Sequence, residues 1–281
     1  MPEKHIHGEC HFSKGIYSFP SIKKIILIQI ILLFLFFQGC VFFSSRQKAQ
    51  LFFTRDDVLN IIHNVKQQQD IVSEFYSTGT LTINGWVIDT SVDIFIAAKK
   101  DPLMFKMEIS HSWGKPLFYF LIKDDRLEIR DFLEKKQYTG KFTSENLSRF
   151  LPNMDCSPDM IWSFLRGYPS LFSYSHVYES APGVLILEDR DKKTRETITF
   201  SPEEGIKEAS SFPPRFPDMK FTDFRKTGDI DYAEKTVVED IKGSKDLILK
   251  RKKVIFNKEI PDSIFTLKNK PFFEVMSLDE M

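Results

Sequence analysis

Residues 105–120 read FKMEISHSWGKPLFYF, and their periodicity decides the fold. Phe105, Met107 and Ile109 alternate with Lys106 and Glu108, the period of two that a strand with one buried face requires. Gly114, Lys115 and Pro116 supply turn chemistry, after which Phe118, Phe120 and Ile122 resume the alternation. The stretch is a β-hairpin with one apolar face.

The same pattern extends outward. Val92, Ile94, Ile96 and Ala98 form an upstream alternating set, and strands are expected over 80–83, 87–98, 103–110, 117–123 and 126–131. Turn residues fall between them at Asn84-Gly85, Asp101-Pro102 and Asp124-Asp125, so the connections are short and the sheet is an antiparallel meander. The opposite face is mixed: Asp93, Lys106 and Glu108 are polar, Phe95 and Leu121 are not. Further strands are expected over 173–178, 184–188, 194–201, 206–212, 219–225, 237–238 and 247–256, and residues 265–281 as one final strand followed by a loose end.

Helical periodicity brackets and interrupts the strands. Thr54, with Asp57 for N-cap chemistry, opens a helix whose Val58, Ile61, Ile62 and Val65 share a face that continues to Val72, with an end near Phe75. His63 falls off that stripe and is expected in solvent. A short helix is expected over 144–151. Ser157 as N-cap, Pro158 in the first turn and Gly167 beyond the last delimit another helix. It carries Met160, Ile161, Phe164 and Leu165, which must cover something apolar.

The N-terminus has different proportions. Lys23 and Lys24 precede residues 25–37, apolar except for Gln29, and Gln38, Gly39 and Cys40 follow. A membrane-spanning helix needs about 20 apolar residues, a secretory h-region only about 7 to 15. The shorter reading predicts a signal peptide over 1–39. Gly39-Cys40 resembles a bacterial lipobox, which implies a diacylglycerol thioether on Cys40, and Val41 after it resembles the outer-membrane sorting pattern of Gram-negative lipoproteins. Acyl chains so attached contribute about 0.8 kcal/mol per buried CH₂. Residues 40–53 are then a lipidated tether, whose Phe42, Phe43, Phe52 and Phe53 lie against the membrane or pack on the domain. His5, His7, Cys10 and His11 belong to the discarded leader, so they are not expected to hold a metal.

Composition narrows the function classes. Among 281 residues, 39 Lys+Arg balance 39 Asp+Glu, which argues against a polybasic nucleic-acid binder. At 42% apolar and 28% charged the chain has the mass for a packed core, and 28 Phe is an unusual share for one aromatic type. Three cysteines build neither a disulfide framework nor a four-cysteine zinc site, and Cys156 is expected as a free thiol. No nucleophile elbow, zinc-binding HExxH helix, phosphate loop or dinucleotide fingerprint occurs. His111 reads as a polar hairpin residue, and Asp56-Asp57 and Asp124-Asp125 as caps and turns. No enzyme, cofactor or metal is expected.

The order of lipidated cysteine, amphipathic helix, long meander, helical insertion and further strands resembles the LolA/LolB-like lipoprotein family, and is closest in layout to LolB. The hairpin quoted above and residues 159–171, DMIWSFLRGYPSL, carry the resemblance over about residues 54–267, leaving 268–281 as a tail. It implies an α+β fold, an antiparallel sheet curved into an incomplete β-barrel with helices covering the concave face. It implies a membrane-insertion tip at Trp113 and Gly114, although Trp113 folded back into the core is the other placement. No counterpart is assigned to the cavity arginine of LolA. The lipid cavity would be lined by Val92, Ile94, Ile96, Phe105, Met107, Ile109, Phe118, Phe120, Ile122, Ile161, Phe164 and Leu165, unless those side chains fill it themselves. The function implied is an outer-membrane-anchored lipoprotein on the periplasmic face. It would be a monomer that binds acyl chains or the lipid moiety of lipoproteins and takes cargo from a periplasmic LolA-like carrier. A structural adaptor of an envelope assembly is the alternative.

Overall fold

The chain divides into two compact units, Met1–Gln50 and Leu51–Met281. The computed structural model describes residues 53–84, 90–150, 157–212, 218–239, 246–267 and 272–280, all in the second unit. Cys40, Cys156, Phe42, Phe43 and Phe52 lie outside the described residues.

Helix α1 (Arg55–Asp70) starts where its caps require. The Thr54 hydroxyl accepts from the Asp57 amide at 3.2 Å and the Asp57 carboxylate accepts from the Thr54 amide at 2.8 Å, a reciprocal box that contributes about 1 kcal/mol. Ile61, Ile62 and Val65 are buried, and His63 is exposed. The helix stops at Asp70, earlier than the periodicity through Val72 to Phe75 suggests. Asn257 is the physical reason: its side chain donates to the Ile71 carbonyl at 2.7 Å and accepts from the Ser73 amide at 3.0 Å, so these groups need no helical partner. Phe75 joins the sheet instead, edge-on to Trp162 at 5.3 Å.

Six strands follow as a meander: β1 (Glu74–Asn84), β2 (Thr90–Lys99), β3 (Met104–Ser110), β4 (Pro116–Lys123), β5 (Arg126–Asp131) and β6 (Lys136–Lys141). Then come α2 (Ser144–Ser148) and α3 (Pro158–Arg166). A second meander comprises β7 (His176–Ala181), β8 (Val184–Glu188), β9 (Arg195–Ser201), β10 (Gly205–Phe212), β11 (Asp218–Thr227), β12 (Ile230–Glu239) and β13 (Asp246–Phe256), with β14 (Glu274–Ser277) last. The order is β14-β6-β5-β4-β3-β2-β1-β13-β12-β11-β10-β9-β8-β7. Pairing of β1 with β13 fuses the two meanders into one curved, non-closed sheet, antiparallel except where β14 runs parallel to β6. At the fusion β13 bulges at Lys252, which the pairing of Thr78 with Lys253 and Gly79 with Arg251 leaves over, and a Cβ on Gly79 would sit 2.2 Å from the Lys250 carbonyl oxygen, so only glycine fits.

Several elements depart from the periodicity. Strand β6, KQYTGK, was not expected, because only Tyr138 among its side chains is apolar and inward. Strand β12 is ten residues long rather than the Val237–Val238 pair, since its ladder to β11 holds polar residues that show no alternation. Within the tail, the described residues 272–280 contain the expected final strand but no loose end: β14 pairs with β6, and Leu278 is fully buried in the main core. Residues 260–267 also pack, with Ile260 and Phe265 covering Ala97, Met104 and Leu121 on the outer sheet face. That explains the apolar Phe95 and Leu121 on an otherwise polar side.

Two cores lie on the other face. The larger joins β1–β6 and β10–β13 to α3, and the smaller packs Ile61, Ile62 and Val65 of α1 with Leu185, Leu187 and Ile198. Phe53, expected in the tether, is buried in the smaller core.

Candidate functional site

The inward side chains of β2 to β4 form a continuous apolar wall. Val92, Ile94, Ile96, Phe105, Met107, Ile109, Phe120 and Ile122 are buried there, and Phe118 is half-buried against them. Helix α3 faces this wall because its sequence closes both ends. Ser157 accepts from the Met160 amide at 3.3 Å, Pro158 occupies the first turn, and Gly167 ends the helix at φ 79°. Nine residues fixed this way place Met160, Ile161, Phe164 and Leu165 in the same cluster as the wall. Between them remains an apolar void of about 30 Å³, lined in part by Phe105, Met107, Phe120, Ile161, Phe164 and Leu165. That is room for one or two water-sized spheres, not for a hydrocarbon chain. Among the described residues, Ile161, Phe164 and Leu165 of α3 pack with Phe105, Met107 and Phe120 around this void.

What holds α3 in place was not anticipated. Arg251 on β13 is buried with Leu247 and Leu249, and its guanidinium sits under the C-terminal turn of α3. It donates to the carbonyls of Phe164 and Leu165 and, at 3.0 and 2.9 Å, to the Ala233 carbonyl and Thr236 hydroxyl. A cation at the negative end of the helix dipole is favourable, and four acceptors replace the water that burial removes. Burial, with Arg166 nearby, pushes the Arg251 guanidinium down to about 9, so it still carries its charge at neutral pH. Arg166, in the last turn of α3, repeats the arrangement one layer out: it donates to the Gln68 carbonyl of α1 and lies 4.5 Å from the centre of the Tyr168 ring. The alternation Leu247, Leu249, Arg251 puts this arginine on the inward register of its strand, a signal present in the sequence and hidden by three flanking basic residues.

Gly167 serves both the helix end and the arginine. A Cβ there would lie 2.6 Å from the Arg251 guanidinium carbon and 2.8 Å from the Ala233 carbonyl oxygen. Gly167→Ala is expected to cost about 1–2 kcal/mol from the left-handed backbone alone, and more from displacing Arg251. A lowered urea midpoint with an unchanged slope checks this.

A buried carboxylate was also missed. Glu196 on β9 alternates with Ile198 on the inward face, accepting from the Phe172 amide and the Ser211 hydroxyl, both at 3.3 Å. Its other oxygen has no hydrogen-bond partner. Burial pushes its acid up to about 8, so at neutral pH it is mostly protonated.

The hairpin tip lies outside the buried cluster. Trp113 is 73% exposed, stacked on His111 with ring centres 4.2 Å apart, and Gly114 follows at φ 81°. The exposed placement holds and the core placement does not. Asp57 caps α1, and Asp124 and Asp125 take the left-handed turn between β4 and β5, as their types predict. Among the described residues no group of three or more His, Cys, Asp or Glu is placed to hold a metal, and no helix is long and apolar enough to cross a membrane.

No protein-family model matches the chain, and no curated protein matches it significantly. Solved structures do. A DUF1329 family protein from Desulfovibrio piger aligns with a TM-score of 0.50 and 12% identity, over 74% of this chain and 97% of that one. The likeness is one of fold. Two further structures align over 74% of this chain. One is a provisionally assigned outer membrane lipoprotein-sorting protein domain from Vibrio parahaemolyticus, with a TM-score of 0.49, 11% identity and 95% of its length covered. The other is a LolA superfamily protein from Nitrosomonas europaea, with a TM-score of 0.47, 14% identity and 97% of its length covered.

Proposed function

We propose that this chain is a lipid-anchored lipoprotein of the bacterial envelope, LolB-like in its action. It binds acyl chains, or the lipid moiety of other lipoproteins, against the wall of β2–β4 and helps insert them into the outer membrane. The observation that supports this reading is that the nine-residue helix α3 packs in one cluster with the wall and is held at its C-terminal turn by Arg251. Cargo enters as α3 lifts. The exchange is cheap in hydrophobic terms, since hydrocarbon replaces Ile161, Phe164 and Leu165 against the same apolar wall at about 25 cal/mol per Å² on both sides. The acylated Cys40 keeps the protein on the periplasmic face of the outer membrane, a LolA-like carrier delivers the cargo, and the monomer works without cofactor or catalysis. Trp113 is the insertion tip, because an amphipathic indole favours the bilayer interface.

The second reading, a structural adaptor of an envelope assembly with no transported lipid, is favoured by the small size of the void. Native mass spectrometry of the purified full chain separates them. Masses with one or more bound lipids beyond the covalent anchor support the lipid binder, and an empty chain after incubation with phospholipid supports the adaptor. Trp113→Glu is expected to lower transfer of cargo lipoprotein into vesicles roughly ten-fold, the factor that about 1.4 kcal/mol of lost burial carries, while lipid binding in solution stays unchanged. Unchanged transfer would remove the tip role.

A further inference from the structure

Three exposed apolar side chains converge on one end of the sheet. The turn from β3 to β4 holds Trp113, and the turn from β5 to β6, two hairpin arms along, holds Leu133 on the same end. Strand β14 runs parallel to β6, with Glu274 opposite Lys136 and the Glu274 amide donating to the Lys135 carbonyl at 3.0 Å, so Phe272 reaches this end too. Trp113, Leu133 and Phe272 are 73%, 59% and 82% exposed. The support beneath them is stiff: Phe132 meets Tyr119 edge-on at 4.7 Å and Phe273 at 5.4 Å, and Arg130 lies over the Phe273 ring. Neighbouring strands are about 4.8 Å apart, so the two turns stand roughly 10 Å from each other, close enough to meet one flat surface together.

Charge at this end is nearly balanced. Lys115, Lys135 and Lys136 face Glu134 and Glu274, with Lys136 paired to Glu134 at 2.8 Å. Attraction is therefore apolar, and the lysine stems are long enough to carry their ammonium groups outward past a buried ring. The length of the N-terminal connection fits a bilayer as the surface. Twelve residues lie between Cys40 and Phe53, and the connection spans at most about 45 Å. A chain anchored at Cys40 keeps the domain within that distance of the membrane that holds its anchor.

We propose that Leu133 and Phe272 form, with Trp113, a bilayer-docking rim that enters the interface of a neutral lipid surface through apolar contact. This rests on the proposed role at a membrane, but adds two contact points from the β5–β6 turn and the C-terminal segment. The test uses the full chain reconstituted in vesicles of phosphatidylcholine, alone or with phosphatidylglycerol. Photo-reactive benzoylphenylalanine replaces Trp113, Leu133, Phe272 or, as control, the exposed Leu59 of α1, one at a time, and adducts are read by mass spectrometry.

Lipid adducts at positions 133 and 272, at least five-fold above position 59 and with phosphatidylcholine alone, are expected. Leu133→Asp with Phe272→Asp should lower the adduct at position 113 about ten-fold, as loss of buried apolar area implies. Adducts at 113 alone would overturn the rim and leave the insertion tip standing. Adducts at 133 and 272 without one at 113 would instead overturn the tip. Cross-links from 272 to a second copy of the chain, equal yields at 59, or a strict need for phosphatidylglycerol would each overturn the rim.

Discussion

Arg251→Met is expected to destabilise the protein by about 3–5 kcal/mol and to loosen α3 before the rest of the sheet. Methionine fills much of the space but donates nothing, so four buried acceptors, the carbonyls of Phe164, Leu165 and Ala233 and the Thr236 hydroxyl, lose their partner together. Each orphaned acceptor costs about 1–3 kcal/mol, partly relieved as the helix end moves toward water. Arg251→Lys keeps the charge and should recover only part of the loss, because one ammonium cannot fork to the acceptors at the end of α3 and on β12 at once. Urea unfolding gives the magnitude, and hydrogen exchange at 158–166 gives the location. Equal acceleration over the whole sheet would show that Arg251 supports the fold generally and not the position of α3.

Glu196 gives the second large effect, through pH. The acid titrates near 8 in the folded chain against an ordinary value of 4.5, so the folded state holds a proton that the unfolded state has released. Its contribution is fully present below about pH 4.5 and is lost as pH rises through 8, at up to about 1.4 kcal/mol per pH unit in between. Glu196→Gln keeps a donor and an acceptor in the same volume and removes the titration. The variant should lose this slope between pH 5 and 8 and be more stable than the parent at pH 8 by about 2–4 kcal/mol, read from urea midpoints. A parallel pH profile in parent and variant would mean that Glu196 is already ionised in the folded state.

The wall was legible because its alternation is strong: Val92 to Ile96, Phe105 to Ile109 and Phe118 to Ile122 lie on the inward face they predict. So was α3, since Ser157, Pro158 and Gly167 each act within one turn of the chain. Elements that depend on distant partners were not. Asn257 ends α1 from 186 residues away. Strand β6 exists because β5 and β14 flank it, not because KQYTGK prefers to be a strand. Arg251 is inward only because the end of α3 supplies carbonyls to receive it, and Glu196 only because the Phe172 amide and the Ser211 hydroxyl donate to it. Trp113 at its tip was readable from the adjoining Gly114, whereas Phe272 at the same end depends on the parallel docking of β14.

The central claim is that α3 is displaced by hydrocarbon, and hydrogen exchange of residues 158–166 in the full chain with and without palmitate tests it most directly. Acceleration confined to α3, together with slowed exchange or a new contact along β2–β4, is the predicted result. Unchanged protection of α3 at saturating palmitate, with the interior still closed around its 30 Å³ void, would contradict it.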